Sequence, residues 1–557
     1  MTDFDFSSLN FELPPMNDEQ PEEKETVRVY TGDCETDPFS HGEMVYPFAW
    51  GLYDGKDFRH TWGSHCTEQY EEMLQGLEPG ILYMHNGGKF DFYYLIHLLF
   101  QNPVFVVNRR IVRAYIQLPK GRLEIRDSYA IMPFPLKDYD KDEIDYKKMH
   151  RSVRNKHKLE ILKYLKKDCT SLYELCHGFV ERFGAKYLTI GSLSMSVLRS
   201  LHDFECLGPY ADRAIRDEYY LGGRVQCFQT GILPGPWKVY DVNSMYPSAM
   251  RNFLHPFEMP GAETTKIRKD TCFITATGKN NGAFAQKTKA GLQFDIDYGT
   301  FHVSRHEWDA ALDLDLFRPD KIHRCINFAR RSTLEEFVNR YYDLRKQAKI
   351  SGDRLGAIFY KYILNSAYGK FGQDSAKYFE WKIDRLGADE PPRGNGKRKE
   401  VPWSCSMISE DAKFPFMVWK RPSPDYKRYN IATGASITGA SRSILMRAIA
   451  KADTPIYCDT DSLVCRNLAA DGIMIDPNEL GAWKLEHDNI DVAMIARKKL
   501  YALMSKKKCV KMASKGVKFT ASDIRRVCEG KSVLYKNDAP TFHLDGTVSF
   551  IEREISL

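Results

Sequence analysis

Residues 457–462, with the sequence YCDTDS, place two carboxylates one residue apart inside an apolar run that starts at Ile456 and resumes at Leu463. Because alternate residues of an extended chain share a face, Asp459 and Asp461 can point at one position. Acidic groups in a hydrophobic setting are costly unless a cation neutralises them. The stretch therefore predicts a magnesium site for phosphoryl chemistry. A surface turn with two solvated acids would give the same pattern.

Two further segments strengthen the magnesium interpretation. Residues 241–248, DVNSMYPS, follow a strand-like segment and put Asp241 at its end, where a third carboxylate can join the other two. Residues 361–369, KYILNSAYG, lie between the two acidic segments. On a helix, offsets of four and seven place Asn365 and Tyr368 on the face of Lys361. Such a face offers a cation to a triphosphate and an aromatic ring to a base.

In this order, the three segments resemble the three polymerase motifs of family B DNA polymerases, D-x-x-S-L-Y-P, K-x-x-x-N-S-x-Y-G and Y-x-D-T-D-S. Met245 in place of leucine is the only departure. The resemblance implies a pair of Mg²⁺ ions, replaceable by Mn²⁺, held by Asp241, Val242 and Asp461, with Asp459 adjusting the site. It implies that Tyr246 excludes a 2′-OH. The nucleotide-binding residues it implies are Tyr246, Lys361, Asn365, Tyr368 and Arg354.

A second acidic constellation lies near the N-terminus. A strand-like segment leads into residues 33–36, DCET, and is followed by residues 85–91, HNGGKFD, and residues 164–168, YLKKD. Solvated strand ends would explain the first two acids alone. Together the segments resemble the 3′–5′ proofreading exonuclease of the same family, whose two metals activate a water. The catalytic residues this implies are Asp33, Glu35, Asp91, Asp168 and Tyr164; the metal ligands are Asp33, Glu35 and Asp168.

Shorter matches resemble the protein-primed branch of the family, found in phages and linear plasmids. They are the Y-x-G-G motif at residues 220–223, the K-x-Y motif at residues 499–501 and an exonuclease lysine motif at residues 141–144. Ser128 falls where the branch has serine or threonine followed by leucine, and Tyr129 in place of leucine leaves its own role open. The DNA-binding residues this implies are Tyr220, Gly222, Gly223, Lys499, Tyr501, Asn86, Ser128 and Lys141.

Composition is compatible with this interpretation. The 80 basic and 74 acidic residues give a net charge of only +6, so any nucleic-acid surface must be local. The 13 cysteines show no paired metal-ligand spacing and are typical of reduced thiols. No apolar run approaches the length of a membrane span. No targeting signal is evident, and we expect a cytoplasmic enzyme, in the host cytoplasm if a phage encodes it.

The expected fold is an α+β multidomain chain, with a ribonuclease-H-like exonuclease domain and a right-hand polymerase of palm, fingers and thumb with two insertions. A capping box at residues 333–336 and a turn at residues 351–353 predict two finger helices. Of their basic residues we expect Lys361, then Arg354, to bind nucleotide and the rest to be solvated. The expected divisions are an acidic disordered tail (1–27), exonuclease (28–185), palm (186–261), first insertion contacting a priming protein (262–332), fingers (333–373), second insertion for strand displacement (374–427), palm (428–518) and thumb (519–557).

The predicted activity is DNA-dependent DNA synthesis with proofreading and strand displacement, primed by a protein hydroxyl, for a linear phage or plasmid genome. The expected partners are template–primer DNA, dNTPs and a terminal protein, with no membrane. The enzyme would be a monomer or a heterodimer with that protein. A nucleic-acid-primed family B polymerase, a stand-alone nuclease and an inactive polymerase-like scaffold are the alternatives.

Overall fold

A computed structural model of the protein describes residues 27–140, 142–289, 291–391, 402–409, 415–423, 429–542 and 548–557. The N-terminal part contains β1 (Val29–Thr36), β2 (Pro47–Tyr53), β3 (Phe58–Trp62), α1 (Cys66–Gln75), β4 (Gly80–Met84), α2 (Asp91–Tyr94), β5 (Pro103–Val107), β6 (Arg110–Leu118), β7 (Gly121–Asp127), α3 (Lys158–Phe183) and α4 (Ile190–Leu201).

The middle part contains α5 (Pro209–Glu218), β8 (Val225–Cys227), β9 (Gly231–Val242), α6 (Met245–Asn252), β10 (His255–Pro256), β11 (Thr271–Asn280), β12 (Gln286–Thr288), β13 (Gly291–Gln293), β14 (Tyr298–Ser304), α7 (Arg305–Asp313), β15 (Phe317–Asn327), β16 (Arg331–Ser332), α8 (Glu335–Ile350) and α9 (Arg354–Phe371).

The C-terminal part contains β17 (Phe379–Arg385), β18 (Ser404–Ser409), β19 (Phe416–Pro422), α10 (Ile431–Lys451), β20 (Ala452–Asp453), β21 (Tyr457–Asp459), β22 (Ser462–Cys465), β23 (Asn467–Leu468), β24 (Trp483–Arg497), β25 (Leu500–Ser505), β26 (Lys508–Ser514), α11 (Ala521–Cys528), β27 (Val533–Lys536), β28 (Thr541–Phe542), β29 (Val548–Ser549) and β30 (Glu552–Ile555).

The N-terminal sheet is mixed, in the order β18-β19-β17-β5-β6-β7-β4-β1-β2-β3, and β4 runs parallel to both β1 and β7. Helix α3 packs on β1 and β2 because its apolar residues recur every three or four positions; Ile161, Leu165 and Cys169 are fully buried. The Thr31 hydroxyl donates to the carbonyl of Cys169 at 2.8 Å. This packing holds the inner face of α3 over the acidic strand β1.

The second insertion is folded on both sides of its Pro- and Lys-rich tract. We expected that tract, at residues 391–399, to be a mobile loop. The flanking strands β17, β18 and β19 are antiparallel and extend the N-terminal sheet through β5. The buried side chains of Ile383, Phe416 and Val418 join the core of that sheet, which explains the ordered pairing. Residues 392–401, which hold most of the Pro- and Lys-rich tract, lie outside the described residues, as do residues 1–26 of the predicted tail.

The C-terminal sheet has the order β26-β25-β24-β9-β22-β21-β8 and is antiparallel throughout. In its centre Ser462 of β22 pairs with Asp241 of β9. This register brings Asp241 and Asp461 together although about two fifths of the chain separates them. The first insertion forms a separate three-stranded sheet, β14-β11-β15, with its own aromatic core around Phe284 and Trp308.

The finger helices α8 and α9 confirm the predicted helical hairpin, with its turn at residues 351–353. The predicted capping box is wrong. Helix α8 starts at Glu335, so Leu334 occupies the capping position and no side chain caps the helix. Asp353 caps α9 instead, by accepting a hydrogen bond from the Gly356 backbone at 3.0 Å, and Arg182 of α3 holds the same carboxylate. No helix among the described residues is long and apolar enough to span a membrane.

A buried histidine pair should make stability depend on pH. His255 donates through Nε2 to the carbonyl of Ala249 and accepts through Nδ1 from Ser436, whose oxygen accepts from His306. Burial, above all, lowers the pKa of His255 to about 3 and that of His306 to about 4. Both lie below the unfolded value of about 6.5. The unfolded chain therefore binds more protons between these limits, and stability falls as pH drops below about 6.5.

The charged groups near His306 are Glu307, Asp309 and Arg305, and they change its pKa less than burial does. We expect the double variant His255→Asn/His306→Gln to show a weaker pH dependence of its urea unfolding midpoint than the parent between about pH 6.5 and 4. Each proton accounts for at most about 1.4 kcal/mol per pH unit. His150→Gln, at an exposed histidine, is the matched control. An unchanged slope in the double variant would contradict this prediction.

Candidate active sites

The carboxylates of the predicted polymerase site meet in the C-terminal sheet. Asp241 lies at the end of β9, and Asp461 follows a turn in which Thr460 adopts a positive φ of 58°. The Val242 backbone N–H donates to the carbonyl of Asp461 at 2.8 Å. Burial and then the charge of Asp241 raise the pKa of Asp461 to about 6, and burial also raises the pKa of Asp241. These two acids repel one another in a half-buried site, which suits a divalent cation.

Asp459 has a different environment. Lys499 Nζ lies 2.7 and 2.9 Å from its two oxygens, and the Tyr457 hydroxyl donates to it at 3.3 Å. The protein itself therefore neutralises this carboxylate, which accords with an adjusting role. Tyr501 was expected to bind DNA, but it is 6 % exposed and packs against Tyr457 at 4.8 Å between ring centroids. Its ring therefore supports the Lys499 segment from the core, and its expected contact with DNA stays a prediction.

A cavity of about 880 Å³ opens beside Asp241 between the C-terminal sheet and α8. Arg345, Lys346 and Lys349 of α8 line it, together with Val242 and Ser244. Arg345 is the main cause of a lowered pKa of Lys349, with burial and Lys361 contributing. Cations that repel one another around a cavity favour an anionic ligand such as a triphosphate.

The α8 cations are functional candidates that our sequence analysis assigned to a solvated face. Their spacing, with two adjacent basic residues and a third four positions after the first, puts them on one side of a helix. That pattern was the available signal, but it does not show which side faces the palm. Arg354, by contrast, was expected to bind nucleotide, but it does not line this cavity. Its guanidinium donates to the Tyr139 carbonyl and lies 4.5 Å over the Tyr139 ring, so it joins the fingers to the N-terminal part.

Helix α9 carries the remaining nucleotide candidates. Lys361 and Asn365 are exposed, and the charge of Lys361 reaches Lys349 on the neighbouring helix. Tyr368 stacks on Tyr246, with 3.9 Å between ring centroids and 19° between ring planes. The stacked pair fixes the position of the Tyr246 ring near the end of β9, which carries Asp241. This is the rigidity that a gate against a 2′-OH requires.

The Y-x-G-G segment lies against the turn at Thr460, between Asp459 and Asp461. A Cβ on Gly223 would lie 2.8 Å from the Thr460 side chain, whereas one on Gly222 would meet open space. The Gly223 requirement therefore comes from the protein's own packing, and only Gly222 leaves its backbone open to DNA. The buried Arg442 donates to the Gly222 carbonyl at 2.9 Å and fixes this segment ahead of β8. The Tyr220 hydroxyl lies next to Gly372 at the end of α9.

The carboxylates of the predicted exonuclease site form a tight cluster. Ligand oxygens of Asp33, Glu35 and Asp168 all lie within 4.8 Å of one another, and no other trio of potential metal ligands in the described part of the chain is this close. Asp33 and Glu35 share a face of β1, and α3 supplies Asp168. Since Glu35 and Asp168 are buried, three negative groups here fit a divalent cation.

Asp91 and Tyr164 flank this trio. Asp91 is buried beside Cys34, and burial raises its pKa to about 6; its Oδ1 atom has no hydrogen-bond partner. Tyr164 lies one helical turn before Asp168, and its hydroxyl is 3.2 Å from the Tyr146 hydroxyl. Burial and the charge of Asp168 raise the pKa of Tyr164, so the hydroxyl keeps its proton. It can therefore donate to a water or a phosphate.

The DNA candidates near the exonuclease site are only partly accessible. Asn86 adopts a left-handed conformation with φ of 64°. Ser128 is fully buried, and its hydroxyl lies 2.9 Å from Nδ1 of His85. The side chain therefore positions His85, and its expected contact with DNA stays a prediction. Lys141 lies outside the described residues. Asp127, which our sequence analysis missed, accepts from the backbone of Asn86 at 3.0 Å and orders its turn.

Comparison with known proteins decides the family. A family model described as DNA polymerase type B, organellar and viral, matches residues 133–476. The DNA-directed DNA polymerase of Enterobacteria phage PRD1 is 42 % identical over 564 residues, covering 96 % of this chain and 98 % of the phage protein. The chain belongs to the organellar and viral type B DNA polymerases. The predicted family and polymerase activity are thus confirmed.

Other similarities agree with this family. The DNA polymerase of Bacillus phage phi29 is 24 % identical over 414 residues, covering 66 % of each chain. The crystal structure of phi29 DNA polymerase matches with a TM-score of 0.70 at 19 % identity, over 95 % of this chain and 100 % of that chain. At this identity the match shows the fold, which confirms the predicted multidomain α+β architecture of this type B polymerase.

Proposed function

We propose that this type B polymerase is protein-primed and carries a 3′–5′ proofreading exonuclease at a second, separate site. The observation that supports two sites is the location of the acidic clusters: one lies on the C-terminal sheet and the other between β1 and α3. The division of the chain into exonuclease, palm, fingers, thumb and two insertions at the boundaries given above is part of the proposal. So is replication of a linear phage or plasmid genome.

For synthesis, a dNTP occupies the cavity beside Asp241, with its triphosphate against Arg345, Lys346 and Lys349. The primer 3′-OH attacks the α-phosphate and pyrophosphate leaves. Asp241 and Asp461, with the Val242 backbone, would hold the Mg²⁺ ions, which neutralise developing charge on the phosphates when bound. Solved phi29 polymerase complexes contain primer–template DNA, and one also contains incoming nucleotides. This supports the same substrates here.

For proofreading, Asp33, Glu35 and Asp168 would hold Mg²⁺, which promotes attack of a water on the terminal phosphodiester when bound. The protonated Tyr164 hydroxyl orients that water. Asp91, buried behind the trio, adds negative charge that favours cation binding. A phi29 polymerase complex with single-stranded DNA supports a single strand as the substrate.

Protein priming is supported by the similarity to the PRD1 and phi29 polymerases and by the folded first insertion. The direct experiment mixes the protein with labelled dATP, template and a candidate terminal protein. Transfer of label to the terminal protein is the expected result. Extension of DNA primers only, with no label on any tested protein, would favour a nucleic-acid-primed enzyme. An intact labelled primer that is neither extended nor degraded would favour an inactive scaffold.

Tyr246 is expected to act as the gate against ribonucleotides. Its ring is held in place by the stack on Tyr368. We expect the fixed ring to leave no space for a 2′-OH. Tyr246→Val should raise the ratio of kcat/KM for ATP to that for dATP by about 10-fold or more, the scale of a lost steric contact. Tyr246→Phe keeps the ring and should keep the parent ratio. An unchanged ratio in the valine variant would remove Tyr246 from this role.

A further inference from the structure

Lys484 lies beside Asp241, at the edge of the cavity proposed for the nucleotide. In the pairing of β24 with β9, Lys484 stands directly opposite Asp241. Directly opposite residues of two paired strands project from the same face of the sheet. The Nζ atom of Lys484 lies 3.5 Å from Oδ1 of Asp241, and the lysine also lines the cavity. One flexible cation therefore reaches both a predicted metal ligand and the nucleotide cavity.

The ion pair of Lys484 with Asp241 is loose. The two side chains are 36 % and 23 % exposed, and a partly solvated pair of this kind contributes little to stability. Lys499 holds Asp459 more firmly, through contacts of 2.7 and 2.9 Å to its two carboxylate oxygens. Because lysine has a long, flexible side chain, Lys484 can leave Asp241 at small cost.

Two further acids of this region have partners of their own. Glu486, two residues further along β24, lies 2.5 Å from Nζ of Lys511 on β26. Glu479, on the cavity wall, lies 3.4 Å from the guanidinium of Arg251. Neither acid depends on Lys484 for neutralisation. Its place on the C-terminal sheet therefore serves Asp241.

Lys484 is also the cation that the C-terminal sheet presents to the cavity. The other basic residues among the described lining residues all belong to α8 on the opposite wall, and they are Arg345, Lys346 and Lys349. A triphosphate between the two walls would meet the α8 cations on one side. On the other side it would meet Lys484 next to Asp241.

We propose that Lys484 exchanges partners during nucleotide binding: it neutralises Asp241 until that carboxylate binds a cation, and it then binds the triphosphate of the nucleotide. An ammonium group is a compact point charge, which suits a movable contact with phosphate oxygens. A divalent cation at Asp241 repels an ammonium group this close, whereas a triphosphate in the cavity attracts it. The inference rests on the position of the nucleotide given under the proposed function.

The exchange predicts effects of opposite sign for Lys484→Met. Without nucleotide, lysine no longer competes for Asp241, so binding of Mn²⁺ should tighten by about 3-fold, the scale of a weak ion pair. With nucleotide, the triphosphate loses a charged partner, so binding of dATP should weaken by about 10-fold. Lys484→Arg keeps the charge and should restore most of the affinity for dATP. A purely structural lysine would not move the two affinities in opposite directions.

Both affinities are measured at equilibrium, without turnover. Electron paramagnetic resonance follows free Mn²⁺ in a titration of the protein alone. The fluorescence of 2-aminopurine in the template, beside a dideoxy-terminated primer, follows dATP binding in Mg²⁺. All proteins carry Glu35→Gln, which is expected to protect the primer and to weaken Mn²⁺ binding by the second acidic cluster. Lys120→Met removes a lysine from a surface ion pair with Glu78, and it should match the parent in both titrations.

Lys346→Met separates this inference from the proposed position of the nucleotide, because Lys346 belongs to the α8 wall alone. If Lys346→Met weakened dATP binding and Lys484→Met did not, the cavity would remain the nucleotide site and the exchange would be wrong. If both variants bound dATP as the parent does, the nucleotide position would fail and the exchange with it. Unchanged or weaker Mn²⁺ binding by Lys484→Met would show that lysine does not compete at Asp241, which would also overturn the exchange.

Discussion

Replacing Asp461 with asparagine should lower nucleotide addition by about 1000-fold, because it removes several kcal/mol of charge stabilisation in the transition state. Asp461 immediately precedes Ser462, which pairs with Asp241 in the β9–β22 ladder, and burial and then the charge of Asp241 raise the pKa of Asp461. Asparagine has nearly the same shape but carries no charge to bind a cation. Degradation of a labelled single strand from its 3′ end should stay at the parent rate, because the carboxylates proposed for degradation lie on β1 and α3.

The measurement is single-turnover extension of a primed template, with the degradation assay run on the same preparation. Asp471→Asn makes the same chemical change at a carboxylate whose side chain is 98 % exposed, and it should keep both activities. Asp459→Asn should also abolish addition, with an added effect of releasing Lys499. Loss of both activities in a folded Asp461→Asn protein would contradict the two-site arrangement.

The sequence predicts the acidic centres well because they depend on local spacing and on strand pairing. Asp33 and Glu35 alternate on one strand, and Tyr164 and Asp168 are one helical turn apart, so each pair shares a face wherever the element packs. What had to be predicted in three dimensions was that β1 packs against α3 and that β9 pairs with β22. Only the resemblance to a family gave this information, since nothing local says which distant segments meet.

The surroundings that the sequence did not predict have a common physical origin, which is burial set by tertiary packing. Ser128 and Tyr501 stand in motif positions, yet neighbouring elements cover both side chains. Arg354 lies seven residues before Lys361, on the same face of α9. The start of α9, however, lies against Tyr139 instead of the cavity beside Asp241. Local pattern specifies which face of a helix a residue occupies. It does not specify what lies opposite that face.

The same limit explains the residues that were missed. Asp127 carries no motif of its own, and its role follows from backbone groups of Asn86 and Gly88 that only folding brings close. The strands of the second insertion were missed because the Pro- and Lys-rich tract dominates the sequence there. Their apolar alternation at Phe416 and Val418 was the signal available beforehand.

Replacing Glu35 with glutamine should lower 3′–5′ degradation by about 1000-fold, through loss of a metal ligand worth several kcal/mol. Glu35 is buried between Asp33 and Asp168, so solvent cannot replace the missing charge. Glutamine keeps the volume, and its amide suits the polar surroundings. Primer extension with matched ends should keep its parent rate, since Asp241 and Asp461 are untouched.

A mismatched primer makes this prediction sharper. The parent should trim the mismatch and then extend, whereas the Glu35→Gln enzyme should neither trim it nor extend it efficiently. Glu43→Gln, at an exposed glutamate of the same part of the chain, is the matched control and should trim as the parent does. Parent-like trimming by Glu35→Gln would remove this carboxylate from the exonuclease site. Glu35 lies on β1, away from Asp241 and Asp461. If Glu35→Gln lost matched-end extension at unchanged thermal stability, the two activities would share residues, which would contradict the two-site arrangement.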